Sequence, residues 1–124
     1  NSSRSQMAEG LLRALRGDRY EVYSAGTDPT WVHPIAIEVM AEIGIDIRGQ
    51  RSKGLDALPG VSFDEVMTVC DHARESCPVF PGGGRNRHQS FEDPTAAGGD
   101  ADAVRAACRK VRDKMQAWIA DTYE

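Results

Sequence analysis

The chain has 124 residues, is 40% hydrophobic and carries a formal net charge of −4. This length suits one core, so we expect a single domain over residues 1–124 that acts as a monomer. The acidic balance argues against a nucleic-acid partner, and the sequence holds no apolar run near the roughly 20 residues of a membrane span. Three cysteines are too few for a secreted disulfide framework, which favours the reducing cytoplasm.

Apolar residues at helical spacing predict a first helix over Gln6 to Arg16, ended by Gly17. The β-rich stretch Tyr20 to Ala25 predicts a strand. A second helix is expected to begin at Pro34, a favoured first helical position, and to close at Gly44.

The second half of the chain continues this alternation. We expect a helical turn over Gly54 to Gly60, a buried strand over Phe63 to Val69 and a final helix over Asp100 to Tyr123. Between them, Pro78 to Gly99 reads as a long loop with a short strand near His88 to Phe91. The pattern predicts an α/β fold in three layers, a mainly parallel sheet flanked by helices. Because no strand precedes the first helix, we expect the sheet's first strand to be absent from this chain.

The final helix carries both apolar and charged residues. Cys108 lies on its apolar stripe and is expected to pack in the core. A solvated charged face is expected from Arg105, Arg109, Lys110 and Arg112.

A small-residue loop, Asn1, Ser2, Ser3, Arg4 and Ser5, runs directly into the first helix. Such a loop can aim several backbone N–H groups at one anion, and the planar fork of Arg4 can hold two oxygens of a tetrahedral anion. Ser3 and Ser5 would add hydroxyl donors. An ordinary polar helix cap explains the same five residues, and they do not decide between the two interpretations.

Cys70 and Cys77 follow the buried strand, where open α/β sheets bind ligands. They could be inert core thiols or a redox couple, whereas a zinc pair would need closer spacing and a second pair. If residues 70–77 were helical, the two Cα atoms would lie roughly 10 Å apart, beyond the ~7 Å limit for a disulfide. A redox couple therefore requires this segment to unwind.

Asp93 precedes Pro94 in a loop that could fold over the anion site. A carboxylic acid there could protonate a departing oxygen, although an Asp-Pro pair also commonly starts a turn. The histidines His33, His72 and His88 have no spacing typical of a metal site, and we expect neither a metal nor a cofactor.

The stretch Asn1 to Glu9 resembles the end of the phosphate loop, C-x5-R-S, and the start of the first helix in low-molecular-weight protein tyrosine phosphatases. Ser24-Ala25-Gly26-Thr27 and the stretch His33 to Leu55 resemble the same family. The pair Cys70 and Cys77 resembles the branch of this fold that became arsenate reductases. The resemblance covers nearly the whole chain.

This resemblance implies a relay of three thiols. A cysteine three positions before Asn1 would attack arsenate, while Arg4 and the amides of the loop Asn1, Ser2, Ser3, Arg4 and Ser5 stabilise the charge on the anion. Asp93 would act as the general acid. Cys70 and then Cys77 would take over the oxidised sulfur, and the Cys70–Cys77 disulfide would be reduced by thioredoxin or a glutaredoxin-type partner.

Two departures from the family pattern shape the expectations. Residues 1–124 do not contain the nucleophilic cysteine, so we expect this chain as given to be inactive. Some members bind potassium at positions matching Asn1, Glu9 and Lys53, and the lysine here supplies a positive charge of its own, so we expect no ion.

Two other functions stay open at this point. A phosphatase acting on phosphotyrosine would use Trp31 as an aromatic wall, but it would leave Cys70 and Cys77 unexplained. A non-catalytic oxyanion-binding module is the second alternative.

Overall fold

The parts of the chain that the computed structural model describes are residues 3–26, 32–54, 63–69, 83–95 and 99–123. Their elements in chain order are α1 (Arg4–Arg16), α2 (Pro34–Ala41), β1 (Phe63–Thr68), β2 (Gly83–His88) and α3 (Ala101–Thr122). β1 and β2 pair in parallel, with Phe63 opposite Gly83 and Thr68 opposite His88. The predicted α/β class, with parallel strands and flanking helices, is confirmed.

The helix boundaries follow from local capping chemistry. α2 begins at Pro34 because the His33 Nδ1 atom accepts a hydrogen bond from the Ile35 amide at 3.1 Å. After this helix the chain turns at Gly44, whose φ of +78° favours glycine. α3 begins after Asp100, whose carboxylate accepts from the Ala103 amide at 2.9 Å. The predicted final helix is confirmed within one residue at each end.

The core lies where the three helices meet. The fully buried side chains include Met7 and Leu11 from α1, Val39 and Met40 from α2, and Cys108, Met115 and Ile119 from α3. Complete burial of an aliphatic side chain of this size contributes roughly 1.5–3 kcal/mol. Cys108 therefore packs in the core as predicted. None of the described helices is both long and apolar enough to cross a bilayer.

The predicted strand over Tyr20 to Ala25 is wrong for the described part of the chain. Residues 20–25 carry no regular secondary structure, and the pairing next to them is limited to one parallel bridge between Gly26 and Gly54, with the Gly26 amide 3.0 Å from the Lys53 carbonyl oxygen. An extended segment becomes a strand only when a neighbour supplies a ladder of hydrogen bonds. Here the Val22 carbonyl instead accepts from Arg13 Nη2 at 2.7 Å.

The predicted strand near His88 to Phe91 lies too late in the sequence, because β2 ends at His88. Backbone pairing nevertheless continues past it, since the Gln89 amide donates to Thr68 O at 3.0 Å and the Phe91 amide to Val69 O at 3.3 Å. Glycine suits the start of β2, because a Cβ atom at Gly84 would lie 2.9 Å from the Asp64 carbonyl oxygen. The predicted long loop from residue 78 to 99 is therefore interrupted by a strand.

The predicted helical turn over Gly54 to Gly60 is described only at its first residue. Gly54 forms the bridge just described, and residues 55–60 of the predicted helical turn lie outside the described residues.

The predicted solvated face of α3 is wrong at Arg112, whose side chain is only 10% exposed. Its Nη1 atom donates to the Val39 carbonyl at 2.8 Å and to Glu42 Oε1 at 2.7 Å. Arg109 also pairs with Glu42, at 2.6 Å, and Arg105 pairs with Glu38 at 2.8 Å. These arginines join α3 to α2, so this part of the face is an ion-paired helix interface, whereas Lys110 is exposed as predicted.

Candidate active site

The site begins at the N-terminus of α1. Ser3 precedes the helix and is 4% exposed, and within the described residues its side chain makes no capping hydrogen bond. The first turn of the helix contains no acidic residue. Because the first N–H groups of a helix lack intrahelical acceptors and carry the positive end of its dipole, this end favours an anion. Ser3 lies at this end as the residue before the helix, whereas Arg4 and Ser5, which were predicted to lie in the loop before a helix starting at Gln6, form the first turn of α1.

Arg4 joins this helix end to a distant loop. Its Nη1 atom donates to the Phe91 carbonyl at 3.2 Å, and its Nη2 atom lies 3.8 Å from Asp93 Oδ2. The Arg4 side chain is 12% exposed and that of Asp93 is 30% exposed, so the pair lies at the edge of the core. The structure thus brings together the cation and the carboxylate that the sequence singled out separately, although their catalytic roles stay predictions.

Phe91 anchors the loop that carries Asp93. Its amide donates to the Val69 carbonyl at 3.3 Å, and its ring packs edge-on against Trp118 with ring centroids 6.1 Å apart. Phe91 is only 7% exposed. Because Val69 immediately precedes Cys70 in the chain, this loop is hydrogen-bonded to the residue before a predicted relay cysteine.

The Asp93 carboxylate is held from one side by Thr95. Asp93 Oδ1 accepts hydrogen bonds from the Thr95 amide at 3.0 Å and from Thr95 Oγ1 at 2.7 Å. Its other oxygen, Oδ2, is the one that faces Arg4. The turn that the Asp93-Pro94 pair predicts is therefore present, and the same carboxylate also lies 3.8 Å from Arg4 at the start of α1.

Two glutamines, Gln6 and Gln50, connect the first turn of α1 to the segment after α2 by hydrogen bonds. Gln6 is fully buried, and its Nε2 atom donates to the Arg51 carbonyl at 3.0 Å. Gln50 Nε2 donates to Gln6 Oε1 at 2.8 Å and to the Gln6 carbonyl at 2.9 Å. These bonds fix the segment after Ile47 beneath the helix start. The sequence does not reveal this pair, because two glutamines far apart in the chain form no local pattern.

Glu9 is a buried carboxylate with several partners. It is 5% exposed and accepts from Ser24 Oγ at 2.6 Å, while Arg13 Nη1 lies 2.9 Å from Oε2 and Lys53 Nζ lies 3.8 Å from Oε1. A buried charge is tolerated only when it is paired in this way. Lys53 therefore lies beside Glu9, at the position where relatives were expected to use potassium. The described residues form no cluster of three or more acidic, histidine or cysteine side chains that could hold a metal ion.

The remaining predicted site residues have no described position, whereas Cys108, the cysteine that was predicted to pack in the core, does. Outside the described residues lie Asn1, Ser2, Trp31, Cys70 and Cys77, so their contributions stay predictions. Cys108 is described and is unsuited to the chemistry, because burial raises the pKa of its thiol to about 11 and the nearby Asp93 charge adds to this.

His88 is a polar residue that no sequence pattern connects with the site. It ends β2, and its ring lies between Thr68 Oγ1 at 2.6 Å and Ser90 Oγ at 2.9 Å. Thr68 ends β1, so these hydroxyls and the imidazole line the carboxyl end of both strands, the edge where α/β sheets bind ligands.

Comparison with known proteins identifies the family of this chain. The family model described as low molecular weight phosphotyrosine protein phosphatase matches residues 1–122. An arsenate reductase of Halalkalibacterium halodurans is 43% identical over 115 residues, which cover 93% of this chain and 83% of that protein.

Solved structures agree with this assignment. An arsenate reductase in the phosphate binding state is 30% identical with a TM-score of 0.73, and the match covers 99% of this chain and 92% of that one. The thioredoxin-dependent arsenate reductase of Corynebacterium glutamicum is 26% identical with a TM-score of 0.62, covering 98% of this chain and 56% of that one. The chain therefore belongs to the low molecular weight phosphotyrosine protein phosphatase family, on the branch that contains arsenate reductases.

Proposed function

We propose that this protein reduces arsenate to arsenite by a relay of cysteine thiols. The observation that carries the proposal is the meeting of Arg4 and Asp93, 3.8 Å apart, at the positive end of α1. Relatives that are named arsenate reductases, 43% identical in one case, support the choice of substrate. A cation, a helix terminus and a carboxyl group are what a tetrahedral oxyanion needs when it exchanges an oxygen for sulfur.

The first step joins arsenate to sulfur. A cysteine thiolate, placed by the family resemblance three positions before Asn1, attacks the arsenic atom. An As–S bond forms and an As–O bond breaks, while Asp93 donates the proton with which the departing oxygen leaves as water. Arg4 and the amides of the Asn1 to Ser5 loop stabilise the negative charge on the remaining oxygens. In this proposal residues 1–124 alone are inactive.

The next two steps move the oxidation onto the other thiols. The Cys70 thiolate attacks the sulfur of the arsenylated cysteine, so that an S–S bond forms and the S–As electron pair leaves with arsenic as arsenite. Cys77 then attacks Cys70 and releases the first cysteine. The hydrogen bond from Phe91 to Val69 supports this assignment, because it ties the Asp93 loop to the residue before Cys70.

A dithiol partner closes the cycle by reducing the Cys70–Cys77 disulfide. We favour thioredoxin, because one structural relative is a thioredoxin-dependent arsenate reductase. A glutaredoxin-type protein would perform the same exchange. Such reductants act in the reducing cytoplasm, where we expect the protein to work.

The test follows NADPH oxidation by the full gene product with thioredoxin and thioredoxin reductase after arsenate is added. We expect arsenate-dependent turnover that Cys70→Ser and Cys77→Ser abolish, while Cys108→Ser retains it because burial raises the pKa of that thiol to about 11 and keeps it protonated, so it is a poor nucleophile. Residues 1–124 serve as a second sample and should show no turnover. Arg4→Lys keeps the charge but loses the planar fork, so arsenate turnover should fall by about 10²-fold or more.

Two outcomes would replace the proposal with one of its alternatives. Brisk hydrolysis of para-nitrophenyl phosphate that survives both Cys70→Ser and Cys77→Ser would indicate a phosphatase, which the family description also allows. Binding of phosphate or arsenate with no turnover of either substrate would indicate an oxyanion-binding module.

A further inference from the structure

The two oxygens of the Asp93 carboxylate have different environments. Oδ1 accepts from the Thr95 amide at 3.0 Å and from the Thr95 hydroxyl at 2.7 Å. Oδ2 lies 3.8 Å from Arg4 Nη2, which is longer than a hydrogen bond. A proton donor must present its proton on the oxygen that faces the reacting group, so this asymmetry bears on catalysis.

We propose that Thr95 is a positioning residue that turns the Asp93 carboxyl group so that its acidic proton is on Oδ2, toward Arg4 and the anion. This inference rests on the proposed function, in which Asp93 is the general acid. Thr95 itself does not touch the substrate; it acts through Asp93.

The assignment of the proton follows from donor and acceptor chemistry. The Thr95 amide and the Thr95 hydroxyl both donate to Oδ1, so both lone pairs of this oxygen are occupied and the proton is left to Oδ2. When the Oδ2–H bond breaks, the proton moves to the departing oxygen and the anion that remains on Asp93 keeps both hydrogen bonds from Thr95. Hydrogen bonds to a carboxylate are about twice as strong as neutral ones, so they stabilise the state that the reaction produces.

Thr95 can act in this way because its own backbone is restrained. Pro94 is buried between the two residues, and its ring fixes φ at that position. On the other side, Phe91 is anchored through the Val69 carbonyl, the Arg4 guanidinium and the ring of Trp118. The hydroxyl of Thr95 is therefore presented to Oδ1 from a fixed position.

The experiment compares Thr95→Val, which removes the hydroxyl at nearly constant shape, with Thr95→Ser, which keeps it. Thr122→Val, at the end of α3, is the matched control for a threonine hydroxyl outside the site. Steady-state arsenate reduction by the full gene product gives kcat and KM, and thermal unfolding is measured for each variant. The same pair of Thr95 variants is also made in the Asp93→Asn background.

We expect Thr95→Val to lower kcat about tenfold, which is part of the roughly 10²–10⁴-fold contribution of a general acid, with the KM for arsenate within about twofold. Thr95→Ser should restore kcat to within about twofold, and Thr122→Val should leave it unchanged. In the Asp93→Asn background Thr95→Val should have no further effect, because no acid remains to be oriented. Thr95→Ala, with the same expectation, replaces the valine variant if that variant does not fold.

The inference is overturned if Thr95→Val retains the wild-type kcat, if Thr95→Ser is as slow as the valine variant, or if Thr95→Val slows both backgrounds equally. Each of these results leaves the proposed function intact, because the wild type still reduces arsenate. If the wild type fails with arsenate but hydrolyses para-nitrophenyl phosphate, the proposed function fails and the same series on that substrate decides the role of Thr95. A wild type that turns over neither substrate overturns both.

Discussion

Gly10 offers a direct test of how closely α1 packs on the segment that supports the site. It is buried inside the helix, and a Cβ atom there would lie 2.6 Å from Ile47 Cγ2 and 3.4 Å from both Gln50 Oε1 and Met40 Cε. Two carbons pack best at about 3.5–4.0 Å, so Gly10→Ala forces a displacement of about 1 Å. The alanine Cβ atom would clash with Ile47 Cγ2, whereas the other two neighbours need to move only slightly.

The magnitude comes from two opposing effects. Alanine is better than glycine inside a helix by roughly 0.5–1 kcal/mol, whereas overpacking a core costs roughly 1–3 kcal/mol. We therefore expect Gly10→Ala to lower the free energy of unfolding by about 1 kcal/mol. In an Ile47→Ala background the Cγ2 atom is gone, and the same Gly10→Ala change should instead stabilise the protein by about 0.5–1 kcal/mol relative to Ile47→Ala alone.

The assay is urea unfolding of the wild type, both single variants and the double variant, followed by circular dichroism. A double-mutant cycle then gives the coupling free energy between the two positions, which should be about 1.5–2 kcal/mol. If Gly10→Ala stabilises the protein equally in both backgrounds, the close approach of α1 to Ile47 is incorrect. Ile47→Ala alone should cost roughly 2–5 kcal/mol, because that side chain is fully buried.

Two further predictions concern the dependence of stability on pH. Hydrogen bonds from Arg109, and after them from Arg112, lower the pKa of Glu42 from its ordinary 4.5 to about 2, so the stabilisation by Glu42 is present above pH 4.5 and disappears as the pH falls toward 2. Glu42→Gln should therefore be less stable than the wild type in urea at pH 6 and approach it at pH 2.5; an unchanged difference would contradict the ion pairs. Burial raises the pKa of Cys108 from 9.0 to about 11, so its neutral thiol stabilises the fold below pH 9 and this stabilisation is lost as the pH rises through 11. The wild type should lose roughly 2 kcal/mol more than Cys108→Ala between pH 8 and pH 10.5, and parallel pH curves for the two proteins would refute the assignment.

The helices could be predicted because their signals are local. The apolar stripe of α3 lies within one stretch of sequence and the structure reproduces it, with the helix beginning one residue after the predicted start, Asp100. The strands were harder because the neighbour decides them. β2 begins with Gly83 and Gly84 and has no apolar alternation, yet it pairs along all of β1. Residues 20–25 have the composition of a strand, but composition does not supply a partner.

The candidate site shows the same division. Arg4 and Asp93 could be singled out because each carries recognisable chemistry beside a helix start or a proline. Their supporting contacts could not, because hydrogen bonds such as those of Gln6 with Gln50 join residues 44 positions apart and leave no periodic trace in the sequence. The prediction for Arg112 is wrong for a related reason: a charged residue on a helix surface is usually solvated, and only the tertiary fold brings Val39 O and Glu42 to it.

The three contacts of Phe91 determine when the backbone that carries Asp93 loses its conformational entropy. Its amide, carbonyl and ring bind Val69, Arg4 and Trp118, so the backbone that carries Asp93 is ordered when the core forms. Fixing one residue's backbone costs roughly 1–2 kcal/mol, and here that loss occurs once, during folding. In the proposed function, an anion that binds at α1 would therefore meet the Asp93 side chain already in place, and little of its binding energy would be consumed in ordering the loop.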